Sequence, residues 1–377
     1  MAGNVDDNQR RPSVIWFTNI PAPYRVAFFE ELGKRVDLFV VFEKDRSDER
    51  DKSWDQSRFV NFRAVIVGGI KTRADSSFDI RVLRYLRECK QYDYVMVSDP
   101  LTLLGMFVIE YLKVHRIAFS IETDGGFAKS GKGLIERIKK SRISAAQRWF
   151  STAKIHDAYY LQYGAKASGI IRYPFSSVSE SELPEKPVNG ATKRELREKL
   201  GITQEKMILG VGQFIQRKGF DTLLDVAGEV GSDVAIVLLG GERTEEYNWI
   251  IEKHGLNNVY FPGFIPKEHI SEYYRAADVF VLPTREDIWG LVINEAIAFA
   301  LPVVTTKTCI AGTELVKPGV NGYLIAPDDP KALSDAINTI LQNEKLRDKM
   351  ACESLKIAQN YTIENMVRCH ESVFIPE

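Results

Sequence analysis

A chain of 377 residues is too long for one ordinary hydrophobic core and points to two domains. Its hydrophobic content of 45% and charged content of 27% are those of a globular protein, and a net charge of −1 gives no reason to expect a nucleic-acid partner. Four scattered cysteines with no Cys-x-x-Cys or Cys/His pairing argue for a reducing compartment and against a structural zinc site.

The N-terminus is polar and has no apolar signal core. No run reaches the length of a bilayer crossing, so the expected location is the cytoplasm or the cytoplasmic face of a membrane. Strand-like runs at 14–20, 36–43, 64–68, 94–99 and 117–122 are short and rich in β-branched and aromatic residues, and helix-length amphipathic segments at 24–34, 78–91 and 101–115 lie between them. The first loop carries Pro21 and Pro23 ahead of Tyr24 and Arg25. The fifth run ends at Glu122 and Asp124, before a Gly125–Gly126 turn. Asp124 is a candidate to touch an acceptor or donor hydroxyl, and equally a turn-stabilising aspartate.

Between Phe127 and Phe150 seven basic residues (Lys129, Lys132, Arg137, Lys139, Lys140, Arg142, Arg148) face one acid, Glu136, with Leu134, Ile135, Ile138, Ile143 and Trp149 interleaved. A basic amphipathic helix over 129–148 is expected to rest on anionic lipid, each cation contributing about 1 kcal/mol. The competing reading is a solvated helix face.

After Phe175 a Ser-, Pro- and Glu-rich stretch reads as a linker. The alternation restarts with strands at 207–213, 234–241, 259–264, 279–284, 302–306 and 322–327. Continuous apolar strands alternating with helices predict two doubly wound α/β domains whose carboxyl strand ends face a cleft. The expected division is 1–180, a linker with the start of the second domain at 181–204, a donor domain at 205–360, and a last helix over 361–377 returning to the first domain. The five histidines show no ligand spacing and read as surface or packing residues.

Two motifs carry chemistry. In ILGVGQFIQRKGF (208–220) a strand ends at Gly212–Gln213, and Lys218–Gly219 leads into a helix, a place where lysine, or Arg217 beside it, meets a diphosphate. In residues 279–306 a strand, an acidic turn and a helix opening at Gly290 offer free amides at Gly290, Leu291 and Val292 to the same phosphates. Glu295 then sits on an otherwise apolar helix and needs a partner, for which a ribose diol is a candidate; the competing reading is that Asp287 and Glu295 merely complement the helix dipole. No DxD-like pair suggests a metal, so metal independence is expected.

These residues resemble the retaining, nucleotide-sugar-dependent transferases of the GT-B fold, glycosyltransferase family 4, of the kind that build bacterial surface polysaccharides. The E-x7-E element of that family matches at 287–295, with Asp287 for the first glutamate, and its Gly-Arg…Lys-Gly element at Gly212-Gln213…Lys218-Gly219, with glutamine for arginine. The resemblance implies that Glu295 holds the donor ribose, Asp287 contacts the donor sugar, and Lys218 neutralises the leaving diphosphate. It implies a glycan or lipid-linked acceptor and no cofactor beyond the nucleotide sugar, with UDP preferred and the region around Gly263 and Phe264 selecting the base. Either Arg217 or a first-domain residue, with Arg25 the candidate, is expected to compensate for the charge lost at Gln213, or turnover is slow. The rival expectations are a sugar-nucleotide epimerase of the same architecture and a non-catalytic nucleotide-sugar sensor or partner subunit.

Overall fold

The computed structural model describes residues 10–45, 59–73, 76–128, 131 and 133–375. The chain divides into two compact units. One runs to Phe175 and takes back the residues from Ile363 onward; the other is Ser176–Thr362.

The first unit is built on a parallel sheet of seven strands in the order β3-β2-β1-β6-β7-β8-β9. They are β1 (Ser13–Thr18), β2 (Asp37–Phe42), β3 (Arg63–Ile66), β6 (Tyr94–Ser98), β7 (Ser120–Glu122), β8 (Arg148–Ser151) and β9 (Ile170–Arg172), while β4 (Ile70–Arg73) and β5 (Ser76–Phe78) form a separate antiparallel hairpin. All six residues of β1 are buried, as an unbroken apolar run in a sheet covered on both faces should be. The sequence reading has five of these strands. It misses β8, which lies within the stretch read as a basic helix, and β9.

The basic segment is corrected by β8. Among its described residues only Leu134–Ile143 is helical; Arg148 lies on a strand, and Trp149 is buried with its indole N–H donating to the Ile143 carbonyl at 2.8 Å. The last helix, Ile363–Phe374, buries Ile363, Met366, Val367, His370 and Phe374, one stripe at helical spacing. That stripe packs on the helix Pro23–Leu32 of the first unit.

In the second unit β10 (Lys206–Val211), β11 (Val234–Leu239), β12 (Val259–Tyr260), β13 (Val279–Leu282), β14 (Val303–Thr306) and β15 (Gly322–Ile325) form a parallel sheet in the order β12-β11-β10-β13-β14-β15. The order reverses between β10 and β13, and in open α/β sheets ligands bind beyond the carboxyl ends of the strands at such a reversal. The later half of the stretch read as a linker is a helix, Gly190–Lys199, capped by Asn189. Its Lys193 and Arg197 are buried against Asp278, at 3.4 and 3.0 Å, and Asp278 also accepts from the Met207 amide. These charges fasten the helix beside β10 and β13. Among the described residues no helix is long and apolar enough to cross a membrane.

Candidate functional site

The reversal in the second sheet explains why two motifs 69 residues apart share one spot. Strands β10 and β13 are neighbours, with Ile208 opposite Val279 and Leu209 opposite Phe280, so their following loops leave the same edge side by side. The two loops are then stitched together. The Arg217 carbonyl accepts from the Arg285 amide and from the Thr284 hydroxyl, both at 2.8 Å, and the Arg217 guanidinium donates to the Glu286 carbonyl at 2.8 Å. Gly219 makes this approach possible. It has φ +70°, and a Cβ there would lie 2.1 Å from the Pro283 carbonyl oxygen.

At this junction Lys218 Nζ donates to Asp287 at 2.5 Å, and Arg217 lies 3.6 Å from the other oxygen of the same carboxylate. Two cations around one anion leave a local excess of positive charge. Lys218 and Asp287 are mostly buried, with side chains 12% and 11% exposed. The backbone of Asp287 is held from the next loop: its amide donates to the Thr308 carbonyl and its carbonyl accepts from Ile310. Gly212 lies against the aliphatic stem of Lys218, and Gln213 is exposed.

Gly290 caps the helix Leu291–Ala298 in the left-handed region, φ +97°, where a side chain would meet Cys309 Sγ at 2.9 Å. Burial, then the Asp287 charge, push the Cys309 thiol up to about 12, so it stays protonated and packs rather than reacts. The first amides of this helix have no acceptor within it. Along the helix, Leu291, Val292, Glu295 and Phe299 remain partly exposed while the positions between them are buried. Glu295 therefore shares an accessible stripe with the first turn, one turn further along. Its carboxylate accepts from the Tyr274 hydroxyl at 2.7 Å and lies 3.5 Å from the Ser177 hydroxyl. Gly263 and the 58% exposed Phe264 follow β12, two strands from the reversal.

The sequence motifs do not reveal Tyr274 or Arg285. Arg285 looks like another phosphate cation, but it is bound to Asp221 and Asp328 and holds loops together. Tyr274 is fully buried ahead of β13; the available signal was that a buried phenol needs a partner.

The first unit gathers a different cluster at the carboxyl edge of its sheet. Arg25 is 4% exposed and donates to Glu122 and, at 2.5 Å, to Asp124; Tyr24 donates to the other Asp124 oxygen at 2.6 Å. Glu122, fully buried, also faces His370 Nε2 at 2.8 Å, while His370 Nδ1 faces the Met366 carbonyl at 2.8 Å. Burial pushes the Glu122 carboxyl up, but the Arg25 and His370 charges outweigh this and hold it at about 2.

Arg25, expected to make up for the charge missing at Gln213, is engaged by two carboxylates of its own unit. His370 is not a bystander but a member of the cluster. Asp124 has both oxygens engaged within this cluster, while its side chain stays 37% exposed. His156, in contrast, is held down to about 3 by burial and is a neutral packing residue between Thr123 and Thr152.

On the helix Leu134–Ile143, Leu134 and Ile135 are 73% and 70% exposed beside exposed Arg137 and Lys140. Lys139 and Arg142 pair with Glu136 and Glu110. Lys129 and Lys132 lie outside the described residues.

Residues 192–356 match the protein family described as glycosyl transferases group 1. Among curated proteins the chain is 29% identical to the alpha-D-kanosaminyltransferase of Streptomyces kanamyceticus, over 43% of this chain and 43% of that protein. It is also 29% identical to the D-inositol 3-phosphate glycosyltransferase of Xylanimonas cellulosilytica, over 50% and 47%. The chain thus spans about half the length of the curated relatives it matches. Among solved structures it resembles Anabaena HepE in complex with UDP, with a TM-score of 0.75 at 17% identity over 94% of this chain and 97% of that one. The fold is the GT-B fold expected from the sequence.

Proposed function

We propose that this protein is a retaining glycosyltransferase that moves a hexosyl group from a nucleotide sugar, UDP-linked by preference, to a hydroxyl of a glycan or lipid-linked acceptor in surface-polysaccharide assembly. One observation carries this reading: Lys218, Asp287 and the open start of the helix at Gly290 meet at the strand-order reversal, with Glu295 one turn further on. The family match over 192–356 and the UDP-glucose complex of HepE support a nucleotide sugar as the ligand.

In this mechanism the diphosphate lies across the amides of Gly290, Leu291 and Val292 and against Lys218 and Arg217. As the glycosidic bond breaks, negative charge grows on the leaving oxygen, and fixed donors facing it are the largest source of rate enhancement. Lysine and amides supply that stabilisation, so turnover needs no divalent cation. Lys218 must then exchange part of its contact with Asp287 for the phosphate, which releases the Asp287 carboxylate to accept from a sugar hydroxyl. Glu295 accepts from the ribose. The exposed Leu134, Ile135, Arg137 and Lys140 suit an anionic membrane bearing a lipid-linked acceptor.

The test combines thermal stabilisation by UDP-, GDP-, ADP- and dTDP-sugars with a turnover assay in the presence of EDTA. A ligand bound only by the folded chain raises its melting temperature. Stabilisation by at least one donor with EDTA-resistant transfer is the expected result. The absence of stabilisation by every donor would overturn the reading.

A further inference from the structure

The proposed donor site leaves one buried polar group unexplained. Tyr274 has no exposed surface, yet its hydroxyl reaches Glu295 Oε2 at 2.7 Å. Its ring is clamped. Phe299 stacks on it at 5.2 Å and 9°, and Phe280 of β13 lies at 5.9 Å and 27°. A phenol with two side-chain torsions, fixed between two rings, is a donor with little freedom to follow a moving partner. Burial, then the Glu295 charge, push its ionisation well up, so it remains a donor.

Glu295, by contrast, is a flexible side chain on the accessible stripe of its helix. A carboxylate can bind two adjacent hydroxyls only if its plane is set before they arrive, since ordering a loose side chain on binding costs affinity. The Tyr274 hydrogen bond engages one oxygen from the interior. The Ser177 hydroxyl lies 3.5 Å from the other oxygen, and a carboxylate has about four acceptor sites, more than these two hydroxyls use. Hydrogen bonds to charged groups are among the stronger ones, and a buried one is worth more than an exposed one.

We infer that Tyr274 is a positioning residue that locks the Glu295 carboxylate to receive the cis-diol of the donor ribose, making the site selective for ribonucleotides over their deoxy analogues. This inference rests on the donor reading above and adds to it a residue that neither motif contains.

The experiment is calorimetric titration of wild type, Tyr274→Phe, Glu295→Gln and the double variant with UDP and with 2′,3′-dideoxy-UDP. Wild type should prefer UDP. Tyr274→Phe should weaken UDP roughly tenfold, the loss of one hydrogen bond to a charged group, and leave dideoxy-UDP within about twofold. In the Glu295→Gln background Tyr274→Phe should add little, because its effect passes through Glu295. Equal weakening of both nucleotides, or an undiminished effect without Glu295, would make Tyr274 merely structural and overturn the inference. If Tyr274→Phe proves unstable, Tyr274→His, which keeps a ring donor, must retain part of the preference for UDP over the dideoxy form; loss of it in a folded Tyr274→His protein overturns the inference. Wild type that binds neither nucleotide would sink the donor reading itself, and wild type that binds both equally would sink only the role assigned to Glu295 and Tyr274.

Discussion

Replacing Arg25 with methionine keeps most of its volume and removes the cation from the buried cluster of the first unit. Glu122 would then retain only His370, and Asp124 only the Tyr24 hydroxyl. Breaking a buried ion pair by removing one partner costs about 3–5 kcal/mol. A second route gives a similar size. Glu122 is held at about 2 against an ordinary value of 4.5, and at 1.36 kcal/mol per pH unit the difference is about 3 kcal/mol. For a unit of this size, Arg25→Met should lower the melting temperature by roughly 6–20 °C at pH 7.

The sign of the pH dependence follows from the depressed carboxyl. Its stabilisation is complete above about 4.5 and is lost as pH falls through about 2, so about 2 kcal/mol of it should be gone by pH 3. The gap between wild type and variant should therefore narrow on acidification. Urea unfolding of both proteins at pH 7 and pH 3, followed by circular dichroism, measures it. A gap below about 1 kcal/mol at pH 7, or one of the same size at both pH values, would refute the account of a buried, mutually dependent charge cluster.

Three further outcomes are expected. Lys218→Ala should lower kcat by roughly 10²–10³-fold, the usual cost of one donor to a developing anion, and steady-state kinetics with the preferred donor checks it. Gln213→Arg adds a cation to Lys218 and Arg217 at the proposed diphosphate site and should raise turnover; unchanged or lower turnover would mean that charge at this position is not limiting. Co-sedimentation should show stronger binding to anionic than to neutral vesicles, weakened by Leu134→Ser with Ile135→Ser, and equal recovery from both lipids would remove the membrane claim.

The local parts of the candidate site in the second unit were legible in the sequence. A glycine in the left-handed region at 290, a lysine before Gly219, and a carboxylate one turn into an apolar helix are each written in a few adjacent residues. The first unit was harder. Arg25, Glu122, Asp124 and His370 come from the start, the middle and the end of the chain, and no spacing links them. The same holds for Lys193 and Arg197, whose partner Asp278 is some eighty residues away and whose own neighbours read as a polar linker. Strand β8 escapes for another reason: its residues lie in a stretch whose interleaved basic and apolar positions read as helix, and pairing with β7 and β9 makes it a strand.

The alternation of buried strands and helices, and with it two parallel-sheet units and the local geometry of the turns at Gly219 and Gly290, could be read from the sequence, since these depend on patterns a few residues long. The tertiary structure decided which turns stand together. Strand order set β10 beside β13 and so brought Lys218 to Asp287, and the return of the last helix placed His370 against Glu122. Charge pairing acts through space at a few ångströms, whatever the distance along the chain, which is why those partners became visible only once the chain had been folded.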